Sequence, residues 1–164
     1  MEHDKENTEI LNEKYDSNKA DSFLIEQYKL YLESIEKVSE KRQNANSYFL
    51  TINSGVCVAI GFILSEDLLA GFKSFFWLIP VSGIILSFFW YRLVNSYNQL
   101  NKVKFEILNR IEEMLPLTLY KSEWKELGEG KDKKKYLPLT NLEIRIPFLF
   151  ILIYLTILIV IFFI

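Results

Sequence analysis

The residues that could do chemistry are few. Gly128-Glu129-Gly130-Lys131 has the glycine and lysine content of a phosphate loop, but such a loop must leave a strand, end in Gly-Lys-Ser/Thr and open a helix. Here Asp132 follows Lys131 and no strand-like run precedes Gly128, so the stretch reads as a solvated turn. Glu33, Glu36 and Glu40 form a carboxylate row at helical spacing, yet Lys37 and Lys41 lie beside them, as on a water-facing helix surface. One cysteine, Cys57, and one histidine, His3, can make neither an intramolecular disulfide nor a Cys/His metal site. There is no Ser/His/Asp set and no H-E-x-x-H motif. These absences argue against catalysis, and no cofactor is expected.

The densest polar signal lies at the edge of an apolar block. Lys41-Arg42-Gln43-Asn44-Ala45-Asn46-Ser47 leads directly into residues 49–64, which hold Thr51, Asn53, Ser54 and Cys57 but no charge. Asn46, Asn53, Cys57 and Gly61 fall on one face of a helix, and Gly55 with Ala59 gives a small-xxx-small spacing on an adjoining one. Ser82, Gly83 and Ser87 offer a comparable surface in residues 75–91. Polar side chains at membrane depth turn toward other helices or water, so this face predicts helix packing or, with several copies, a water-lined path.

Three charge-free blocks, residues 49–64, 75–91 and 146–164, set the elements that must position these groups. Each approaches the roughly 20 helical residues that cross a hydrocarbon core of about 30 Å, which predicts three transmembrane helices. Half of the 164 residues are hydrophobic while 24% are charged, and the two kinds are segregated along the chain. Lys and Arg number seven before the first block, one between the first two (Lys73) and eleven from Arg92 to Arg145. By the positive-inside rule both large polar segments are cytoplasmic, the Ser65 to Ser74 loop is outside, and the C-terminus lies on the outer side. Residues 1–22 are acidic and polar, unlike a signal peptide. A net charge of −2 argues against a general nucleic-acid binder.

The first 20 residues form an acidic tail without apolar periodicity. From Asp21 an apolar stripe runs Leu24, Tyr28, Tyr31, Ile35, Val38, Ala45, Phe49 and Ile52, interrupted only by Arg42, with no Gly or Pro before Gly55. One helix of about 43 residues, roughly 65 Å, is therefore expected to pass into the first span without a break. After Trp90, Tyr91 and Arg92, an interface belt, a second stripe of Leu93, Tyr97, Leu100, Ile107, Ile111 and Met114 reaches Pro116, with Lys104 where an apolar residue would fit. Residues 21–116 thus predict an antiparallel hairpin with spans near 47–65 and 74–92 and long cytoplasmic helical extensions. Phe23, Ile25, Leu30 and Leu32 on the first helix, and Val94, Val103, Phe105 and Leu108 on the second, fall outside the expected seam and want partners.

Residues 117–140 form a loop whose Lys131, Lys133, Lys134 and Lys135 can contact lipid headgroups. Thr140 and Glu143 have capping-box spacing, with Leu139 and Ile144 as a hydrophobic staple, and predict a third helix over 141–164. The fold class expected is an all-α membrane protein.

The stretch Tyr28-Lys29-Leu30-Tyr31-Leu32-Glu33, Glu36-Lys37-Val38-Ser39 and Lys41-Arg42-Gln43-Asn44-Ala45-Asn46-Ser47-Tyr48-Phe49-Leu50 resembles the N-terminal signature of the RipA family of octameric bacterial membrane proteins. The resemblance implies an inner-membrane homo-oligomer of eight chains with a large cytoplasmic portion and no settled biochemical activity. The partners expected are membrane lipids and further copies of the chain. A structural or channel-like role follows, with a membrane-disrupting effector of a bacterial stress or antiphage system, signalled by a cytoplasmic protein, as the alternative from another class.

Overall fold

The computed structural model describes residues 20–65, 75–131, 135–136 and 139–163. The acidic tail, residues 66–74 of the loop between the first two spans, Lys133 and Lys134 lie outside the described residues. Every regular element among the described residues is helical: α1 Ala20–Ser65, α2 Leu78–Glu112, α3 Leu119–Glu126, α4 Leu139–Glu143 and α5 Ile146–Phe163. Three of them, α1, α2 and α5, are long and apolar enough to cross a membrane. The chain is an all-α membrane protein.

Two compact units divide these helices. One, which we call the charged unit, holds residues 1–38 and 101–136; the other, the apolar unit, holds 39–100 and 137–164. α1 and α2 contribute to both. Helix α1 runs unbroken because nothing in it interrupts the amide ladder: its two glycines, Gly55 and Gly61, meet open space and no proline occurs. Pro80 is buried in the first turn of α2, where a missing N–H forfeits no helical bond.

In the charged unit α1 and α2 are antiparallel. Tyr28 meets Glu112 and Ser34 meets Lys104, so numbers rise on one helix as they fall on the other. Lys104, placed where an apolar residue was expected, is accommodated by its own chemistry: its ammonium donates to Ser34 Oγ at 2.7 Å and stands 4.8 Å from the centroid of the Tyr31 ring. That pairing moves the seam of α2. The packed positions are Lys104, Leu108 and Glu112 rather than Leu100 and Ile107, and Val94 and Leu108, expected outside the seam, are fully buried. Leu93 and Leu100 stay on the surface. A hydrophobic period alone could not show that polar side chains hold the register.

Glu112 is the unexpected group, a carboxylate only 1% exposed. The last turn of α2 tightens as Leu115 N–H reaches back to the Glu112 carbonyl, and Pro116 ends it. The chain turns, and the Glu112 carboxylate accepts the backbone N–H groups of Tyr120 and Lys121, both at 3.0 Å, together with the Tyr28 hydroxyl at 3.1 Å. Thr118, at the cap position of α3, makes no capping bond of its own. A carboxylate from another helix therefore satisfies donors that a helix start leaves open, where negative charge is favoured.

After α3 the backbone makes a left-handed turn, with Gly128, Glu129 and Gly130 all at positive φ. Trp124 packs against Gly130 and stacks edge-on with Tyr136. Lys131 ion-pairs with Glu129. That exposed lysine holds the Glu129 carboxyl below its usual range.

The third span departs from the expected capping box. Thr140 lies inside α4, which ends at Glu143, and α5 begins at Ile146. Pro147 has no N–H for the Glu143 carbonyl and disfavours helical geometry at the residue before it, which accounts for the break between α4 and α5.

Burial pushes the Tyr28 hydroxyl up to about 12, and the bond to Glu112 adds to it. A raised phenol contributes stability that is complete below its free value near 10 and is lost as pH rises through about 12. Replacing Glu112→Ala is expected to lower the Tyr28 titration, read by phenolate absorbance, only part of the way to 10, because burial remains. The same change should cost about 1–3 kcal/mol, more than Tyr28→Phe at about 1, since it also strands two backbone donors. Amide exchange at Tyr120 and Lys121 should accelerate only in Glu112→Ala.

Candidate functional site

The apolar unit is built around aromatic and aliphatic side chains from all three long helices. Ile60, Phe76, Trp90, Val94, Phe150 and the ring of Tyr154 are its buried members. Trp90, expected at the interface belt, instead lies inside, stacked on Phe49 with ring centroids 5.9 Å apart and tilted against Phe150 at the same distance. Its neighbour Tyr91 packs on Phe148, and Arg92 is exposed.

Three polar residues are sealed in the same interior, and one amide connects them. Asn53 on α1 is wholly buried. Its Oδ1 accepts the Ser87 hydroxyl of α2 and the Tyr154 hydroxyl of α5, each at 3.0 Å, while its Nδ2 donates to the Phe49 carbonyl at 2.8 Å. The Tyr154 hydroxyl also stands 3.3 Å from the Asn53 carbonyl. An amide oxygen has two lone pairs and both are used, one toward each partner helix. Gly83 makes this closeness feasible: a Cβ built there would stand only 2.4 Å from the Tyr154 ring.

Two turns nearer the polar end, Asn46 Oδ1 accepts the Trp90 indole N–H at 2.8 Å. Its Nδ2 is buried and makes no hydrogen bond among the described residues. A turn further on, Arg42, which interrupts the sequence stripe, forms an ion pair with Glu143 of α4, both side chains mostly buried at 12% and 18% exposed. Gln43, Asn46, Ser47, Leu50, Trp90, Glu143 and Ile146 line an open recess of about 310 Å³ beside that pair. Thus α1 presents Arg42, Asn46 and Asn53 in succession, each meeting a partner on another helix.

The other candidates scatter. Thr51 and Ser54 are exposed, with the Thr51 hydroxyl returned to the Ser47 carbonyl. Ser82 is exposed and bonds the Leu78 carbonyl in the same way. Cys57 is a half-buried free thiol packed against the core. Gly55 and Gly61 meet nothing within 4 Å and Ala59 is exposed, so this small-residue spacing packs no helix of the same chain. Lys131 and Lys135 are exposed in the charged unit.

Tyr154 and Glu112 are the residues that sequence reading missed. Tyr154 carried a signal, as one of two polar side chains in an otherwise apolar span; Glu112 carried none that separates it from surface glutamates. No group of three or more His, Cys, Asp or Glu among the described residues could hold a metal. Asn53, Ser87 and Tyr154 are all neutral hydrogen-bonding groups, so the arrangement fixes helices and offers no nucleophile paired with a base.

The family model of the octameric membrane protein family (8xMP) matches residues 25–163. The chain belongs to that family. No curated protein and no solved structure matches it. As an octameric membrane protein the chain works as one of eight copies, and the match spans both units, including the Asn53 cluster and Glu112.

Replacing Asn53→Leu keeps the volume near and strands the Ser87 and Tyr154 hydroxyls. A loss of about 1–3 kcal/mol is expected in detergent denaturation of the protomer. Gly83→Ala should also destabilise, and Tyr154→Leu should relieve that second loss by removing the ring it strikes. An Asn53→Leu protein with unchanged denaturation would contradict the assigned bonding.

Proposed function

We propose that this octameric membrane protein is a structural assembly of the bacterial inner membrane, a scaffold that performs no catalysis. One observation carries this reading: Asn53, the polar residue deepest in the first span's candidate water-lining face, is consumed inside a single chain. Asn53 is wholly buried and its amide oxygen fully bonded by Ser87 and Tyr154. Elsewhere the spans present Val58, Phe62, Ile85, Phe88, Leu152 and Ile159, an apolar surface suited to acyl chains and to other helices. Thr51 and Ser82 return their hydroxyls to their own backbone, which makes them compatible with either.

The lysine and arginine asymmetry supports a cytoplasmic charged unit, with the N-terminus inside and the C-terminus outside. Exposed Lys131 and Lys135 then face the inner leaflet, where each cation gains up to about 1 kcal/mol from anionic headgroups. The recess beside Arg42 and Glu143 lies where the charged segment of α1 meets its apolar one, at headgroup level.

Two measurements test the proposal. Purified protein reconstituted in liposomes should leave them as tight to ions and small dyes as protein-free vesicles, and overexpression should leave the membrane potential intact. Rapid depolarisation with growth arrest would replace the scaffold by a membrane-disrupting effector; steady selective flux would replace it by a channel. In a Cys57→Ser background, Leu69→Cys should react with an impermeant maleimide from outside whole cells and Gly130→Cys only after lysis. Equal labelling of both would overturn the orientation.

A further inference from the structure

We infer that neighbouring copies join through two opposite apolar faces of the charged unit, one carrying Phe23, Leu30 and Val103 and the other Ile25, Leu32 and Phe105. The inference rests on the octameric reading and adds which surfaces make the joints.

In this unit the inner seam of α1 is fixed by Tyr28, Tyr31 and Ile35, and that of α2 by Lys104, Leu108 and Glu112. A helix turns about 100° per residue. Phe23 and Leu30 therefore stand roughly 110–130° round from the α1 seam on one side, and Ile25 and Leu32 roughly 70–90° on the other. On α2, Val103 lies roughly 140° to one side of its seam and Phe105 about 60° to the other. Because the two helices run in opposite directions, the sense of rotation is mirrored. Phe23, Leu30 and Val103 consequently share one broad side of the pair, and Ile25, Leu32 and Phe105 the other.

Five of these side chains are surface features of the single copy, and Leu32 beside them is half-buried. Phe23 and Leu30 are each 59% exposed, Val103 52%, Ile25 47% and Phe105 40%. Acyl chains cannot cover them, since Glu26, Lys29, Glu33, Glu36 and Lys37 alternate with them on α1, and Lys102 and Glu106 on α2. Glu33 and Lys37 are ion-paired and water-facing, with more than half of each side chain exposed. Apolar patches that face water on two sides of one unit mark protein contacts.

Symmetry selects the occupant. The match is to an octameric family, and copies inserted with one topology can be related only by an axis along the membrane normal. Such a ring has head-to-tail joints, each made of two different surfaces, and every copy must carry both. Two separate apolar faces on opposite sides of the charged unit meet that requirement. A single self-complementary patch would not.

Two double variants test this in full-length protein, with mass measured in detergent. Leu30→Glu with Val103→Glu disables one face, and Ile25→Glu with Phe105→Glu the other; all four sites are solvent-exposed, so the protomer fold should persist, checked by helical circular dichroism. Each variant alone should fall from octamer to monomer, while an equal mixture should give heterodimers and nothing larger, one joint being intact. Octamers that persist in both variants would overturn the assignment of faces. So would dissociation of one variant only, which means like faces meet, or a mixture that stays monomeric. If a glutamate variant aggregates, the same four sites changed to Gln decide by the same masses. An unsubstituted protein that is itself monomeric would overturn the octameric reading instead.

Discussion

One carboxamide organises the membrane-spanning part of this protein. In hydrocarbon the attraction between helices is weak, because lipid tails are as apolar as leucine, and specific hydrogen bonds with close packing choose which faces meet. Asn53 supplies both partners with an acceptor: one lone pair for Ser87 of α2 and one for Tyr154 of α5. The surrounding core obeys it. Gly83 is vacant so that the Tyr154 ring can lie close, and Trp90, fixed by Asn46, fills the space between Phe49 and Phe150.

The charged unit repeats this logic with ionisable groups. Lys104 is held by Ser34 and Tyr31, and Glu112 by Tyr28 and two backbone amides. Polar residues hold register in both units, while apolar ones fill the volume between them. The leftover apolar side chains of α1 and α2 then belong to contacts beyond the single chain.

Much of this was legible in the sequence because it depends on spacing. The three spans follow from charge-free length, the uninterrupted α1 from the absence of proline, and the polar face from Asn46 and Asn53 lying seven apart. The α2 seam was misread by one position, since periodicity scores Lys104 and Glu112 as interruptions when their bonds make them anchors. The capping box at Thr140 failed because α4 already begins at Leu139, and the continuous helix expected from it breaks ahead of Pro147. Glu112 could not be found, as nothing in its neighbourhood distinguishes a glutamate that will be enclosed by a later segment from one that faces water. The small residues Gly55 and Ala59 had the right spacing for packing but no helix of their own chain beside them.

The Asn53 cluster also orders events during synthesis. Tyr154 follows Asn53 by 101 residues, whereas Ser87 follows by 34. A nascent chain therefore brings the first two spans together with the amide half satisfied, and that pair must persist while the whole charged segment between α2 and α5 is made. The last span is so uniformly apolar that its lipid solubility gives it no preferred rotation. The waiting acceptor on Asn53 gives it one, turning Tyr154 inward and completing the bundle only after the third span has been made.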